Sequence, residues 1–306
     1  MPELVKYLTD VHAMEVQALA QMRAAPKLAG DPQLAEAFDA HRIETEQHEA
    51  LIRQRLEAHD ASPSRLEDLL GAISGKGFVL FARSQPDTPG KLATHAFSYE
   101  HMELAAYDLL ARYAEQEGDH ETVEVAKRIR DEENAMAIRL SESWGRIVDA
   151  SLKDTDPKAA LDNYLADAHA LEQQAIELLK HPPEELASIF DNHFAESERH
   201  KELIERRLDE RGSSPSRVKD AALRLGALNW GAFFKAQPDT PVKLAMFAYA
   251  FEHLEIGGYE QLTRVARRAG DDATAMIVDN NILPDERAAA EQLYGSFAKV
   301  IATQRG

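Results

Sequence analysis

The sequence predicts an all-α protein made of two four-helix bundles in tandem, and three observations carry that prediction. Apolar residues recur at spacings of three and four along nearly the whole chain, while the strict alternation of a half-buried strand is missing. The first half of the chain reappears in the second. Each half is cut by proline and glycine into segments long enough for four helices, joined by two tight turns and one long connection.

The repeat is read directly from the residues. Tyr7-Leu-Thr-Asp-Val-His-Ala-Met-Glu15 returns as Tyr164-Leu-Ala-Asp-Ala-His-Ala-Leu-Glu172, an offset of 157. Ser62-Pro-Ser-Arg65 returns at Ser214, Gln85-Pro-Asp-Thr-Pro89 at Gln237, and Glu100-His-Met-Glu-Leu-Ala-Ala-Tyr107 at Glu252, all at offset 152. Near the end the offset becomes 153, and both steps have the size of loop adjustments. A period this long makes each copy a whole domain, unlike the short units of a solenoid. The expected domains are residues 1–152 and 157–306, with the polar stretch Ser151–Lys158 as linker.

In the first half, the pattern predicts a first helix from Pro2 to Ala25 and a second from Asp31 to His59. A third is expected from Thr88 to Glu117 and a fourth from Asp119 to Ser151. Pro2, Pro32 and Pro89 fall in first helical turns, where a missing N–H is tolerated. Gly30 and Gly118 fall at helix ends, where left-handed backbone is needed. The turns at Gly30 and Gly118 are tight, as antiparallel neighbours require. About 30 residues separate His59 from Pro89, far beyond the 2–8 of a simple bundle loop. That length, with its own short helical pattern at Pro63–Arg83, lets the chain return along the bundle. This is the single-crossover topology of ferritin-like folds.

Polar residues interrupt the inward stripes. Glu15 sits among Leu4, Leu8, Val11, Ala18 and Met22, and Glu172 does the same in the second copy. On the second helix, His41 and His48 lie on the stripe of Leu34, Phe38 and Ile52, with Glu44 on its shoulder; His193, Glu196 and His200 are the counterparts. Glu100, Glu103 and Tyr107 share a face of the third helix, as do Glu252, Glu255 and Tyr259. On the fourth, Glu133 is in line with Ile129, Met136 and Leu140, and Glu286 with Ile282, Ala289 and Leu293. Glu15 and Glu103 lie about 14–15 residues before their turns, Glu44 and Glu133 about 15 after theirs. At 1.5 Å rise per residue all four belong at one height near mid-bundle.

Four carboxylates and one or two imidazoles in an apolar interior need neutralising, by protons, by basic partners or by a pair of divalent metal ions. Oxygen-rich sites with imidazole suit iron or manganese, and the set matches the ligands of di-iron or di-manganese carboxylate bundles. The candidate metal ligands are therefore Glu15, His41, Glu44, His48, Glu100, Glu103 and Glu133, with Glu172, His193, Glu196, His200, Glu252, Glu255 and Glu286. The competing reading is a neutral core in which tyrosine and histidine satisfy the glutamates. His12 and His169, three residues before the first-helix glutamate, are expected to orient it. His101 and His253 are read as interface packing. Tyr107 and Tyr259 are read as hydroxyls that satisfy a buried glutamate, and Glu46, Glu49, Glu198 and Glu202 as solvated surface. Trp144 and Phe297, like Trp230 and Phe78, exchange aromatic for aromatic between copies and read as core.

His41-x-x-Glu44-Thr45, Glu100-His101-x-Glu103-x-x-x-Tyr107 and Glu132-Glu133 resemble the signature of the YciE/YciF-type ferritin-like stress proteins of bacteria, once per half. The resemblance implies a ferritin-like fold in each half, Glu15, Glu44, Glu103 and Glu133 as ligands, and a link to stress physiology. Since relatives are single domains often found as dimers, it also implies that the two halves pack as a pseudo-dimer, with higher assembly left open. One departure stands out. Di-iron bundles usually carry Glu-x-x-His on two helices. Here Met136 and Ala289 follow the fourth-helix glutamates at that spacing, and Gln47 and Arg199 follow those of the second.

Composition bounds the function. Of 306 residues, 29% are charged and 44% apolar, the balance of a globular protein. A net charge of −18 argues against a basic nucleic-acid surface and favours the approach of cations. With no cysteine, disulfides, iron–sulfur clusters and thiolate nucleophiles are excluded. No leader-like segment and no apolar run of membrane length is seen, so a cytoplasmic location without membrane contact is expected. The expected function is a dinuclear iron or manganese protein with ferroxidase or peroxide-related chemistry. The alternative is a non-catalytic, stress-associated scaffold without bound metal.

Overall fold

A computed structural model of the chain describes residues 2–63, 87–180, 182–214 and 241–303. The chain divides into two compact units, residues 1–150 and 151–306. The first holds α1 (Pro2–Met22), α2 (Ala25–Leu28), α3 (Pro32–Ala58), α4 (Thr88–Glu117), α5 (His120–Glu142) and α6 (Trp144–Ser151). The second holds α7 (Pro157–Leu179), a 3-10 turn (Glu184–Leu186), α8 (Ala187–Glu210), α9 (Pro241–Ala269), α10 (Asp272–Ile277), a π-helical turn (Val278–Ile282) and α11 (Leu283–Thr303). Among the described residues there is no strand, and no helix is long and apolar enough to cross a membrane.

Helix boundaries follow local chemistry. Asp31 caps α3, its side chain accepting from the backbone N–H groups of Gln33 and Leu34, with Pro32 in the first turn. Asp119 caps α5 by accepting from the Thr122 N–H, and Asp271 caps α10 through Thr274. Gly118 closes α4 with φ +74°, and Gly270 repeats it after α9. Two expected helices are broken. The first stops at Met22 and resumes as the single turn α2. The fourth is interrupted at Ser143, whose hydroxyl donates to the Arg139 carbonyl. Beyond the break, Trp144 packs edge-on to Phe97 with ring centroids 5.3 Å apart. Trp144 and Phe297 are both buried as expected. The expected short crossover helix, Phe78 and Trp230 lie outside the described residues.

Contacts at the bundle ends establish the direction of each helix. Arg55, late in α3, donates to Asp119 and Thr122 at the start of α5, and His59 reaches Asp119 at 2.7 Å. The end of α3 therefore lies beside the end of α4. At the opposite end, Gly30 lies against Pro89 at the start of α4, and Arg146 approaches Asp31 at 3.7 Å. Helices α3 and α4 run parallel, the relation between second and third helices that distinguishes a single-crossover bundle from an up-down-up-down one. Arg207 with Asp271 and Thr274 repeats the first network in the second half.

One sequence expectation is corrected. The step in repeat offset from 152 to 153 lies between Thr274 and Glu286, inside the fourth helix rather than in a loop. The extra residue is absorbed by the π-helical turn at Val278–Ile282. Pro284 follows immediately, with no N–H for the carbonyl four residues back. The wider turn absorbs both irregularities and returns Glu286 to the height that Glu133 occupies in the first half.

Gly30 supports a specific prediction. Its φ is +69°, and a Cβ there would lie 2.8 Å from Pro89 Cγ, whereas Gly118 at φ +74° has open space around it. Gly118→Ala should cost about 1 kcal/mol from left-handed backbone alone, and Gly30→Ala about 2 kcal/mol or more once the clash is added. Urea unfolding of the two variants measures the difference.

Candidate metal centre

The glutamates and histidines on the inward stripes meet in one layer per half. Glu15 from α1, His41 and His48 from α3, Glu100 and Glu103 from α4 and Glu133 from α5 are each at most 1% exposed. Their counterparts Glu172, His193, His200, Glu252, Glu255 and Glu286 are at most 2% exposed. Water therefore does not screen these groups, and each acts strongly on its neighbours.

Within each layer the ligand atoms form two groups joined by one carboxylate. In the first half, Glu15, His48 and Glu133 offer atoms within 4.8 Å of one another, as do His41, Glu100 and Glu133. His48 Nδ1 lies 2.8 Å from Glu133 Oε1 and 3.8 Å from Glu15. His41 Nε2 lies 3.1 Å from Glu100 and 3.3 Å from the other Glu133 oxygen. In the second half, Glu172, His200 and Glu286 form one group, and His193, Glu252, Glu255 and Glu286 the other. His200 Nδ1 is 2.9 Å from Glu286, and His193 Nε2 is 2.9 Å from Glu252. Glu133 and Glu286 thus each stand between two clusters.

These approaches leave many carboxylate lone pairs in the layer unmet. Neither oxygen of Glu255 has a hydrogen-bond partner, nor do Glu15 Oε2, Glu103 Oε1, Glu172 Oε2 and Glu286 Oε2, while Glu133, Glu100 and Glu252 face imidazole nitrogens out of hydrogen-bond alignment. A purely structural polar core places its donors on its acceptors, because an orphaned buried polar group costs about 1–3 kcal/mol. Side chains that converge on common points while leaving lone pairs unmet fit a cation far better. Charge points the same way, since four carboxylates with neutral imidazoles balance two divalent ions. The residues present fit such a pair.

The outer nitrogens of the imidazoles are held from the bundle surface. Glu44 accepts from His41 Nδ1 at 3.1 Å, and Glu196 is 3.2 Å from His193 Nδ1. Glu132 lies 2.6 Å from His48 Nε2, and Asp285 lies 3.2 Å from His200 Nε2. Each rim carboxylate fixes a ring and leaves its inner nitrogen facing the layer, the support that metal-bound histidines usually have. Glu44 and Glu196, read from the sequence as ligands, are 40% and 33% exposed and lie outside the convergent groups. Sequence reading missed Glu132 and Asp285 in this role, though the acidic pairs Glu132-Glu133 and Asp285-Glu286 repeat at matching places.

Tyr107 and Tyr259 donate to Glu15 and Glu172, as expected of satisfying hydroxyls. His12 and His169, expected to orient the first-helix glutamates, make contacts to other carboxylates. They turn outward to Glu49 at 2.9 Å and Glu205 at 2.8 Å, which also removes Glu49 from the plain solvated surface. His101 and His253 bond to the backbone carbonyls of Phe97 and Tyr249 in their own helices.

The fold and the layer define a ferritin-like carboxylate bundle, present twice. The chain belongs to the family described as "Domain of unknown function (DUF892)", the YciE/YciF-type ferritin-like family, which matches residues 3–153 and again 156–305. No solved structure matched the chain.

The electrostatics of the metal-free layer give a second prediction. Burial, reinforced by Glu133, pushes Glu15 from 4.5 to about 8, and burial raises Glu100 to about 8 against the pull of His41. Glu103 is raised well above the usual range by burial and its acidic neighbours. Burial opposes charge on His48, yet Glu133 and Glu15 lift it to about 9. Glu133, buried but facing both imidazoles, is held below the carboxylate range. Raised carboxyls keep protons that the unfolded chain releases above pH 4.5, so their contribution falls as pH climbs through about 8. The charge on His48 stabilises fully below pH 6.5 and is lost through about 9. Glu133 works oppositely, its stabilisation being lost only in acid. The chelated protein should therefore lose thermal stability between pH 5 and 9. Glu15→Gln should flatten that slope by up to about 1.4 kcal/mol per pH unit, read from midpoints across pH.

Proposed function

We propose that each half holds a pair of divalent iron or manganese ions across its buried layer, and that the protein is a ferritin-like metalloprotein of stress protection. The observation that carries this reading is the shared carboxylate: two convergent groups of unsatisfied donors meet at Glu133, and two more at Glu286. Oxygen and imidazole donors suit iron or manganese. Such ions, when bound, supply redox chemistry of the ferroxidase or peroxide-consuming kind.

The chain's own residues do the rest. Glu15, His48 and Glu133 would hold one ion, and His41, Glu100 and Glu133 the other, with Glu103 close by on α4. Tyr107 orients Glu15 through its hydroxyl. The rim carboxylates lock the imidazole rings, and the apolar stripes above and below keep bulk water out.

A non-catalytic scaffold is the second reading, favoured by Met136 and Ala289 standing where a histidine follows the glutamate in di-iron bundles. Stoichiometry separates the two. Metal analysis after reconstitution with ferrous or manganous ion should give about four ions per chain. Because Glu133 serves both positions, Glu133→Ala should remove about two, whereas Glu15→Ala should remove about one. Binding should also release protons and strengthen from pH 6 to 9, because the raised carboxyls and charged imidazoles must give up protons first. A chain that binds no metal, or a Glu133→Ala variant that binds as much as wild type, would leave the scaffold reading standing.

A further inference from the structure

The two layers are alike, but the walls around them are not. In the second half a cavity of about 320 Å³ opens between α8 and α11, and His193 lines it. His193 is itself 2% exposed, with Nδ1 3.2 Å from Glu196 on the cavity side and Nε2 2.9 Å from Glu252 in the layer. At about 30 Å³ per water molecule, the space accommodates a cation with much of its hydration shell.

Two carboxylates, Asp191 and Glu196, line the cavity. Its arginine, Arg199, is tied to Asp285 at 2.5 Å. The room comes from two small residues, Ala195 on α8 and Ala289 on α11. Ala289 is buried three residues beyond Glu286, where a longer side chain would take up part of the cavity.

At the matching positions the first half differs in both directions, with Ala37, Ala40 and Gln47 for Ile189, Asn192 and Arg199, and longer side chains for the two alanines. Ile43, itself exposed, stands in place of Ala195, whereas Met136, 1% exposed, stands in place of the buried Ala289. Arg139 replaces the cavity residue Gln292. Arg42 replaces Phe194 and pairs with Asp39, the twin of Asp191, and with Glu46. Each set of lining positions carries two carboxylates and one arginine, so the walls differ not in charge but at the buried inner end, where Met136 takes the place that Ala289 leaves open.

We propose that the α8–α11 cavity is the entry port by which a hydrated divalent cation reaches the second-half layer past His193, and that the first half lacks an equivalent port. The two halves of one chain then load at different rates although their ligands match. This inference rests on the metal-binding reading above.

The test uses the full chain with one layer disabled at a time. Glu133→Ala leaves the second-half layer intact and Glu286→Ala leaves the first. Cobaltous ion is mixed with each, and its visible absorption is followed to the endpoint by stopped flow. The Glu133→Ala chain should load at least about ten-fold faster, because entry past Ala289 needs no rearrangement of the kind that Met136 imposes in the first half. Adding Ala289→Met to it should slow loading about ten-fold with the endpoint unchanged. Gln292→Arg, a substitution on the exposed rim that leaves the core untouched, should slow it about three-fold or more, with the effect fading in salt. Full endpoints with equal rates in the two backgrounds, or rates indifferent to both port substitutions, overturn the port and leave metal binding intact. An endpoint of no bound cobalt in either background overturns the port together with the metal-binding reading.

Discussion

Acid groups held out of water at mid-height of an apolar bundle set the terms for the rest of this protein. Each layer brings four carboxylates and two imidazoles together at negligible exposure. Burying one unpaired carboxylate costs several kcal/mol, and grouping four multiplies the repulsion. The bundle tolerates the layer only with compensating charge inside it. In the metal-free state that charge is protons, which explains why Glu15, Glu100 and Glu103 shift up while the imidazoles stay charged far above their ordinary range. Divalent ions meet the same demand with better geometry, because the donors converge on points rather than on each other.

The surrounding structure serves that constraint. Helices α3 and α4 run parallel, which sets Glu100 and Glu103 opposite His41 and His48 at one level. Arg55 and Arg207 fasten the bundle end where three helices meet. Rim carboxylates clamp the outer nitrogens of all four inward histidines. The second half adds a residue to its fourth helix, yet the π-helical turn takes up the excess and His200 still meets Glu286 at 2.9 Å. A layer whose register survives an insertion is one that the packing on either side holds firmly.

Much of this was legible in the residues. The duplicated motifs and the period of the apolar stripes specified two helical bundles, and counting residues from the tight turns placed Glu15, Glu103 and Glu133 at one height. What was not legible depended on side-chain direction and small backbone adjustments. Glu44 sits at the right height, but its stem leaves the helix toward solvent, so it clamps His41 rather than joining the convergent group. His12 shares a helix with Glu15, yet its Nε2 reaches Glu49 on the neighbouring helix at 2.9 Å. An insertion of one residue reads the same whether a loop or a helix absorbs it. Glu132 and Asp285 were visible only as repeated acidic pairs, because their role rests on which imidazole nitrogen turns outward.

The central claim is that cations sit on either side of the shared carboxylates. Anomalous diffraction from crystals grown with iron or manganese, recorded at the absorption edge of the metal, tests it most directly. The account predicts two peaks in each half, flanking Glu133 and Glu286 within reach of the paired imidazoles. Peaks confined to surface carboxylates, or interior glutamates hydrogen-bonded among themselves with no anomalous signal between them, would contradict it.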